Sequence, residues 1–130
     1  LEGRSKEYGA PVILGPNTAE KVKDRFAILQ IDLITVKGKK EPERVYALLG
    51  DQTVAESAPF KEIAALLQEI LACYRKRDWD GAEKAIDRAM AAPQHFSLDE
   101  VFNTYRERIR MFRESPPPES WDGVYAFEKK

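Results

Sequence analysis

The sequence has a single cysteine, Cys73, and a single histidine, His95. One cysteine excludes an internal disulfide, which fits a reducing compartment such as the cytoplasm, and the two residues together cannot furnish a Cys/His zinc site. Long apolar runs are missing too. Nothing approaches the roughly 20 consecutive apolar residues that a bilayer-spanning helix needs. Nor does charge of one sign dominate. Twenty-one basic residues stand against 22 acidic ones, a formal net charge of -1. No global field therefore draws the chain to nucleic acid or to an anionic membrane, and neither is expected as a partner.

What is present is the composition of a globular protein, 43% hydrophobic and 33% charged over 130 residues. That is enough for one ordinary domain or two small ones. The chain opens "LEGRSKEYG", which reads as the last turns of a helix capped by Gly9. It has no initial methionine, so the expectation is a piece of a longer protein. "APVILG" reads as a short strand. "PNTAEKVKDRF" reads as a short helix with Asn17 as cap and Glu20 completing a capping box. In "AILQIDLITV" the residues alternate, and Leu29, Ile31, Leu33 and Thr35 form the cleaner apolar face, expected to meet the core. "KGKKEPE" is the turn and "RVYALLG" the partner strand. Residues 1–50 thus read as a strand-and-helix unit unfinished at its start, and residues 51–58 as a linker.

From Pro59 the period becomes helical. Phe60, Ile63, Leu67, Ile70 and Tyr74 form one stripe, and Trp79, Ala82, Ile86 and Ala89 a second. Leu98, Val101, Phe102, Tyr105, Ile109 and Phe112 form the third. "KRD" breaks the first helix, Asp78 caps the second, Pro93 ends it, and Ser97 with Glu100 forms a capping box for the third. The expected fold is α+β: an N-terminal α/β remnant, a three-helix bundle over residues 59–114, and an extended tail over residues 115–130. In that tail three prolines forbid helix, and "VYAF" reads as a short strand able to join a sheet edge. Two internal echoes occur. "ILACYRKR" and "VFNTYRER" each carry an aliphatic followed, after three residues, by YRxR, and "WDG" occurs at Trp79 and again at Trp121. The segment from Cys73 to Pro93 resembles a tetratricopeptide-type helical hairpin, one residue short between Tyr74 and Ala82.

Single residues with chemical potential are read conservatively. His95 lies between two helices with no acidic or hydroxyl partner nearby in sequence, so a structural or solvent-facing role is expected. Cys73 is expected to be partly buried. The arginines of "YRKR" and "YRERIRMFR" are interleaved with glutamates and are expected on solvated helix faces. Trp79 and Trp121 are expected to anchor the bundle and the tail rather than a partner.

The segments "LEGRSKEYGAPVILGPNTAEKV" and "DLITVKGKKEPERVYALLG" resemble, in sequence and in order, the C-terminal end of a class III adenylate/guanylate cyclase catalytic domain. Residues 58–130 more softly resemble the helical extension of some bacterial members, through "YRKRDWDGA", "YRERIRMF" and "PPPESWDGV". The resemblance implies a ferredoxin-like catalytic domain, of which residues 1–50 are the end. It implies conversion of a nucleoside triphosphate to 3′,5′-cyclic AMP or GMP and pyrophosphate, for signalling. It also implies a homodimeric parent enzyme, itself soluble or membrane-attached, using two Mg or Mn ions. Carried over residue by residue, it assigns one position: Lys37 of "VKGK", a long cation beside Gly38, as a contact to the substrate polyphosphate. The metal-binding aspartates and the catalytic Asn and Arg of the family lie in parts that precede this segment, and Asp32 does not match a metal ligand. The 130 residues alone are therefore expected to be inactive. The rival expectation is a tetratricopeptide-like interaction or regulatory module over residues 58–130.

Overall fold

A computed structural model describes residues 13–36, 41–92, 96 and 98–127. Within them the chain is mixed α+β, with a four-stranded sheet and five helices. The order is β1 (Ile13–Leu14), α1 (Pro16–Val22), β2 (Phe26–Val36), β3 (Glu43–Asp51), α2 (Gln52–Ala55), α3 (Ala58–Arg75), α4 (Trp79–Ala91), α5 (Asp99–Glu114) and β4 (Tyr125–Phe127). The sheet runs β1-β3-β2-β4. Its first three strands are antiparallel, and β4 lies parallel to the far edge of β2.

Local chemistry accounts for most boundaries. The α1 helix starts two residues earlier than its capping box suggested. Gly15 is the N-cap, Pro16 takes the first helical position, and no side chain caps it. Proline suits that place because its missing N–H would be unsatisfied there anyway. Asn17 therefore sits inside the helix, and Glu20 pairs with Lys23 at 2.8 Å instead. The stretch read as a linker holds α2, whose N-cap Asp51 accepts from the Val54 N–H at 3.1 Å. Ser57 then caps α3 through the Phe60 N–H.

At "KRD" the chain leaves α3 through a Schellman motif. The Asp78 N–H donates to Cys73 O at 2.9 Å and the Arg77 N–H to Tyr74 O at 3.1 Å. Arg77 takes the left-handed position, φ 66°, which glycine usually fills. Asp78 caps α4 by accepting from the Gly81 N–H at 3.0 Å. The α5 helix begins at Asp99 with Leu98 as N-cap; Ser97, Pro93 and His95 lie outside the described residues.

The alternation of β2 is not continuous, and this corrects the expected core face. Gln30 pairs with Tyr46 and Asp32 with Val45, so Ile31 is an extra residue, a β-bulge. A second irregularity near Leu49 on β3 restores the register. Before the bulge Ala27 and Leu29 are buried, as the alternation predicts. After it the inward residues are Asp32 and Ile34, while Leu33 and Thr35 are only half-buried. One inserted residue moves every later side chain to the opposite face.

The three helical stripes lie in the core as their periods require. Ile63, Leu67, Ile70, Ile86, Phe102 and Ile109 form one apolar cluster with Leu29, Ile31, Ile34, Val45 and Ala47 of the sheet. Sheet and bundle thus share a core.

Candidate functional site

The Lys37 position, with Lys39 and Lys40, lies outside the described residues. Its setting is described. β2 ends at Val36, β3 begins at Glu43, and the two strands are antiparallel. Five residues before Lys37 the sheet carries its one fully buried carboxylate among the described residues, Asp32, 1% exposed.

Asp32 faces α5 because of the bulge. Arg108, 3% exposed, meets it with two parallel hydrogen bonds, Nη1 to Oδ1 at 2.9 Å and Nη2 to Oδ2 at 2.7 Å. This bidentate geometry matches the guanidinium fork to the carboxylate plane. Asp32 Oδ1 also accepts the Leu33 N–H at 2.8 Å, next to the bulge. The Tyr105 hydroxyl donates to Ile31 O at 2.6 Å and lies 3.0 Å from Asp32 Oδ1. Arg108 is further enclosed by aromatic faces, its guanidinium carbon 3.7 Å from the Tyr125 ring centre and 5.1 Å from that of Tyr105. Burial would push the guanidinium pKa down, but the facing Asp32 carboxylate outweighs it and holds it well above the ordinary value. The two side chains form a fixed, bidentate ion pair.

Next to this pair lies an aromatic cluster. Tyr74 packs edge-on against Tyr105 at 4.9 Å and against Trp121 at 5.3 Å. Phe112 stacks on Trp79 at 5.5 Å and touches Trp121 at 5.2 Å. The Tyr74 hydroxyl makes no hydrogen bond of good geometry among the described residues. Burial pushes its pKa up to about 12, with Arg108 pulling the other way. The tail reaches this cluster along a fixed path. Arg77 donates to Pro117 O at 2.9 Å and to Pro118 O, and its guanidinium lies over the Trp121 ring. Trp121 donates from Nε1 to Val124 O at 2.9 Å. Gly123, at φ +92°, passes so close to Arg75 that a β-carbon would lie 2.5 Å from its Cγ.

Several expectations are met here and one is reversed. Trp79 and Trp121 anchor bundle and tail, and the two WDG segments meet, their indoles 6.2 Å apart. Cys73 is half-buried, and burial raises its thiol pKa. Arg106, Arg110 and Arg113 lie on exposed faces in ion pairs with Asp87, with Glu107 and Glu114, and with Asp80 and Glu83. Arg108 does not. It was expected on a solvated face and is buried, because a carboxylate from a distant strand compensates the cost of removing it from water. The YRxR echo was the available signal. Its final arginines, Arg77 and Arg108, reach the tail and β2 respectively, and its tyrosines, Tyr74 and Tyr105, touch.

Metal chemistry of the kind the cyclase resemblance implies finds no fit among the described residues. No group of three or more His, Cys, Asp or Glu side chains is placed to hold an ion there. Both oxygens of Asp32 are taken by Arg108. Nor is any helix of the described residues long and apolar enough to cross a membrane. In comparisons with family models, curated proteins and solved structures, nothing matches this chain.

Proposed function

We propose that the chain is the C-terminal part of a class III nucleotide cyclase, and that Lys37 contacts the polyphosphate of the nucleoside triphosphate in the intact enzyme. The observation that carries this reading is the ordered resemblance of residues 1–50, ending in "VKGK" followed by its partner strand. The antiparallel pairing of β2 with β3 supports it, since it matches the strand–turn–strand order that the resemblance reads over these residues. A compact, multiply charged polyphosphate calls for a cation held on a rigid support. The parent acts as a homodimer with Mg or Mn, whose ligands lie outside these residues. Residues 1–50 are the end of a ferredoxin-like domain, and the helical region sets the geometry of the subunit.

The test is a cyclic-nucleotide assay on the protein extended upstream through the whole catalytic domain, with ATP and with GTP. Product is expected from the extended protein and none from the 130 residues alone. Lys37→Ala should lower kcat/KM by about a hundredfold, the order seen when one charge-stabilising donor is removed. Turnover by the 130 residues alone, or full activity in the Lys37 variant with folding intact, would contradict the proposal.

A second reading, a tetratricopeptide-like interaction module, draws support from the α3–α4 hairpin and the shallow groove on it lined by Glu62, Ala65, Leu66, Glu69 and Arg88. A partner captured by the whole chain and lost on Arg88→Glu would favour it.

A further inference from the structure

The tail is built as a separate piece. Residues 117–124 carry their own hydrogen bonds. The Trp121 N–H donates to Pro118 O at 2.9 Å, Trp121 Nε1 to Val124 O at 2.9 Å, and the Val124 N–H to Asp122 Oδ1 at 3.2 Å. Pro116, Pro117 and Pro118 stiffen its start, and each restricts the residue before it to extended backbone. The tail therefore has little conformational freedom left to lose when it docks.

Its seat is supplied by other elements. Arg77, just past α3, donates to the carbonyls of Pro117 and Pro118. Trp121 packs against Tyr74 of α3, Trp79 of α4 and Phe112 of α5. The Tyr125 ring lies against the Arg108 guanidinium, and Tyr125–Phe127 extend the sheet along β2 at Ile34–Val36. Only a short exposed stretch, Ser115 and Pro116, joins the tail to α5. An empty seat would leave the end of β2 as an open edge and uncover aromatic faces, so the undocked chain is a poor resting state. The tail of a second copy, being identical, makes the same contacts. We propose that residues 117–127 exchange between two copies of this chain, each tail docking in the other copy's seat, with Ser115 and Pro116 as the hinge. Such an exchange reuses contacts already made within one chain and needs no new surface, a low-cost route to a two-fold dimer. It does not depend on the cyclase reading. The tethered arrangement competes with it. The dimer share therefore rises as the chain concentration approaches the effective concentration of the tethered tail, on the order of 1 mM for a short linker.

The test reads whose tail sits on β2. Thr35 and Ala126 are ladder partners, and adjacent strands lie about 4.7–4.9 Å apart, within reach of a disulfide. In a Cys73→Ser background, chains carrying Thr35→Cys and chains carrying Ala126→Cys are unfolded together and refolded as a mixture. The concentration runs from about 10 μM to about 1 mM, up to that effective concentration, and the products are then oxidised. Disulfide-linked pairs of one chain of each kind are expected, and their yield should rise with concentration. They should exceed pairs between Ala126→Cys chains and chains carrying Arg44→Cys, on the exposed surface of β3, by at least about fivefold, because disulfide geometry is specific. The unsubstituted chain refolded in the same way should show a dimer in sedimentation. A chain carrying both Thr35→Cys and Ala126→Cys, oxidised when dilute, locks its own tail in its own seat. It should stay monomeric when concentrated and form the dimer only after reduction and refolding.

An unsubstituted chain that stays monomeric over the whole range overturns the proposal. So does a dimer that forms equally well from the locked chain, since it would use another surface. Mixed cross-links no more abundant than those of the Arg44→Cys control do the same. None of these readouts depends on enzymatic activity, so they leave the cyclase reading to its own assay.

Discussion

The α3–α4 seam and the β2–α5–β4 seam use opposite means to join elements. Between α3 and α4 the buried surface is apolar, with Ile63, Leu67, Ile70, Ala82, Ile86 and Ala89, and the charges stay at its margin. Arg88 and Glu69 meet there at 2.9 Å with side chains 60% and 44% exposed. Between β2, α5 and β4 the charges are at the centre, as the Asp32–Arg108 pair, and the aromatics surround them. The first seam joins neighbours in sequence and needs only periodic apolar residues. The second joins segments 76 residues apart. Apolar contacts hold such segments together but allow slippage, whereas a bidentate pair fixes both register and orientation.

The comparison is broken most directly by Arg108→Met. Leaving Asp32 buried without its cation should cost about 3–5 kcal/mol in chemical denaturation, and adding Asp32→Asn should recover much of it. A loss below about 1 kcal/mol for the single variant would mean that the pair is not buried as described.

A smaller effect is expected at the tail clamp. Arg77→Ala keeps the left-handed strain and loses both carbonyl contacts; Arg77→Gly loses the contacts but relieves the strain. The glycine variant should therefore be the more stable of the two by about 1 kcal/mol. Equal stabilities would show that Arg77 carries no backbone cost.

Tyr74 sharpens the comparison through pH. Its folded pKa, about 12, lies above the ordinary phenol value of about 10 because burial favours the neutral form. The folded state therefore keeps this proton longer than the unfolded chain. The associated stability is complete below pH 10 and is lost as pH rises toward 12. Tyr74→Phe should flatten that alkaline loss in thermal unfolding. At pH 7 it should change stability by less than about 1 kcal/mol, since the hydroxyl removed makes no well-formed hydrogen bond among the described residues.

The smallest effect belongs to the other seam. Arg88→Ala removes an exposed ion pair and should cost less than about 1 kcal/mol, decreasing with added salt.

Apolar periodicity was legible because it is a property of neighbours. The stripes of α3, α4 and α5, the Asp78 cap and the strand at "VYAF" follow from residues within a few positions of one another. Arg108 was not legible in this way. Within "YRERIRMFR" it is one of four arginines of similar local setting, and nothing within a helical turn marks it as buried. Lys37 lies outside the described residues, and its assignment rests on the sequence resemblance alone.

By itself the sequence determined the helical and strand periods, most of the stops between them, and the near balance of charge, all set by short-range sterics and by the separation of apolar from polar side chains. Only the tertiary structure decided which face of β2 turns inward after Ile31, which arginine leaves water, and which edge the tail strand joins. Each of these depends on a partner far along the chain. A bulge is tolerated when the side chains it redirects find partners, and a charge is buried when its counter-charge and hydrogen bonds are already in place.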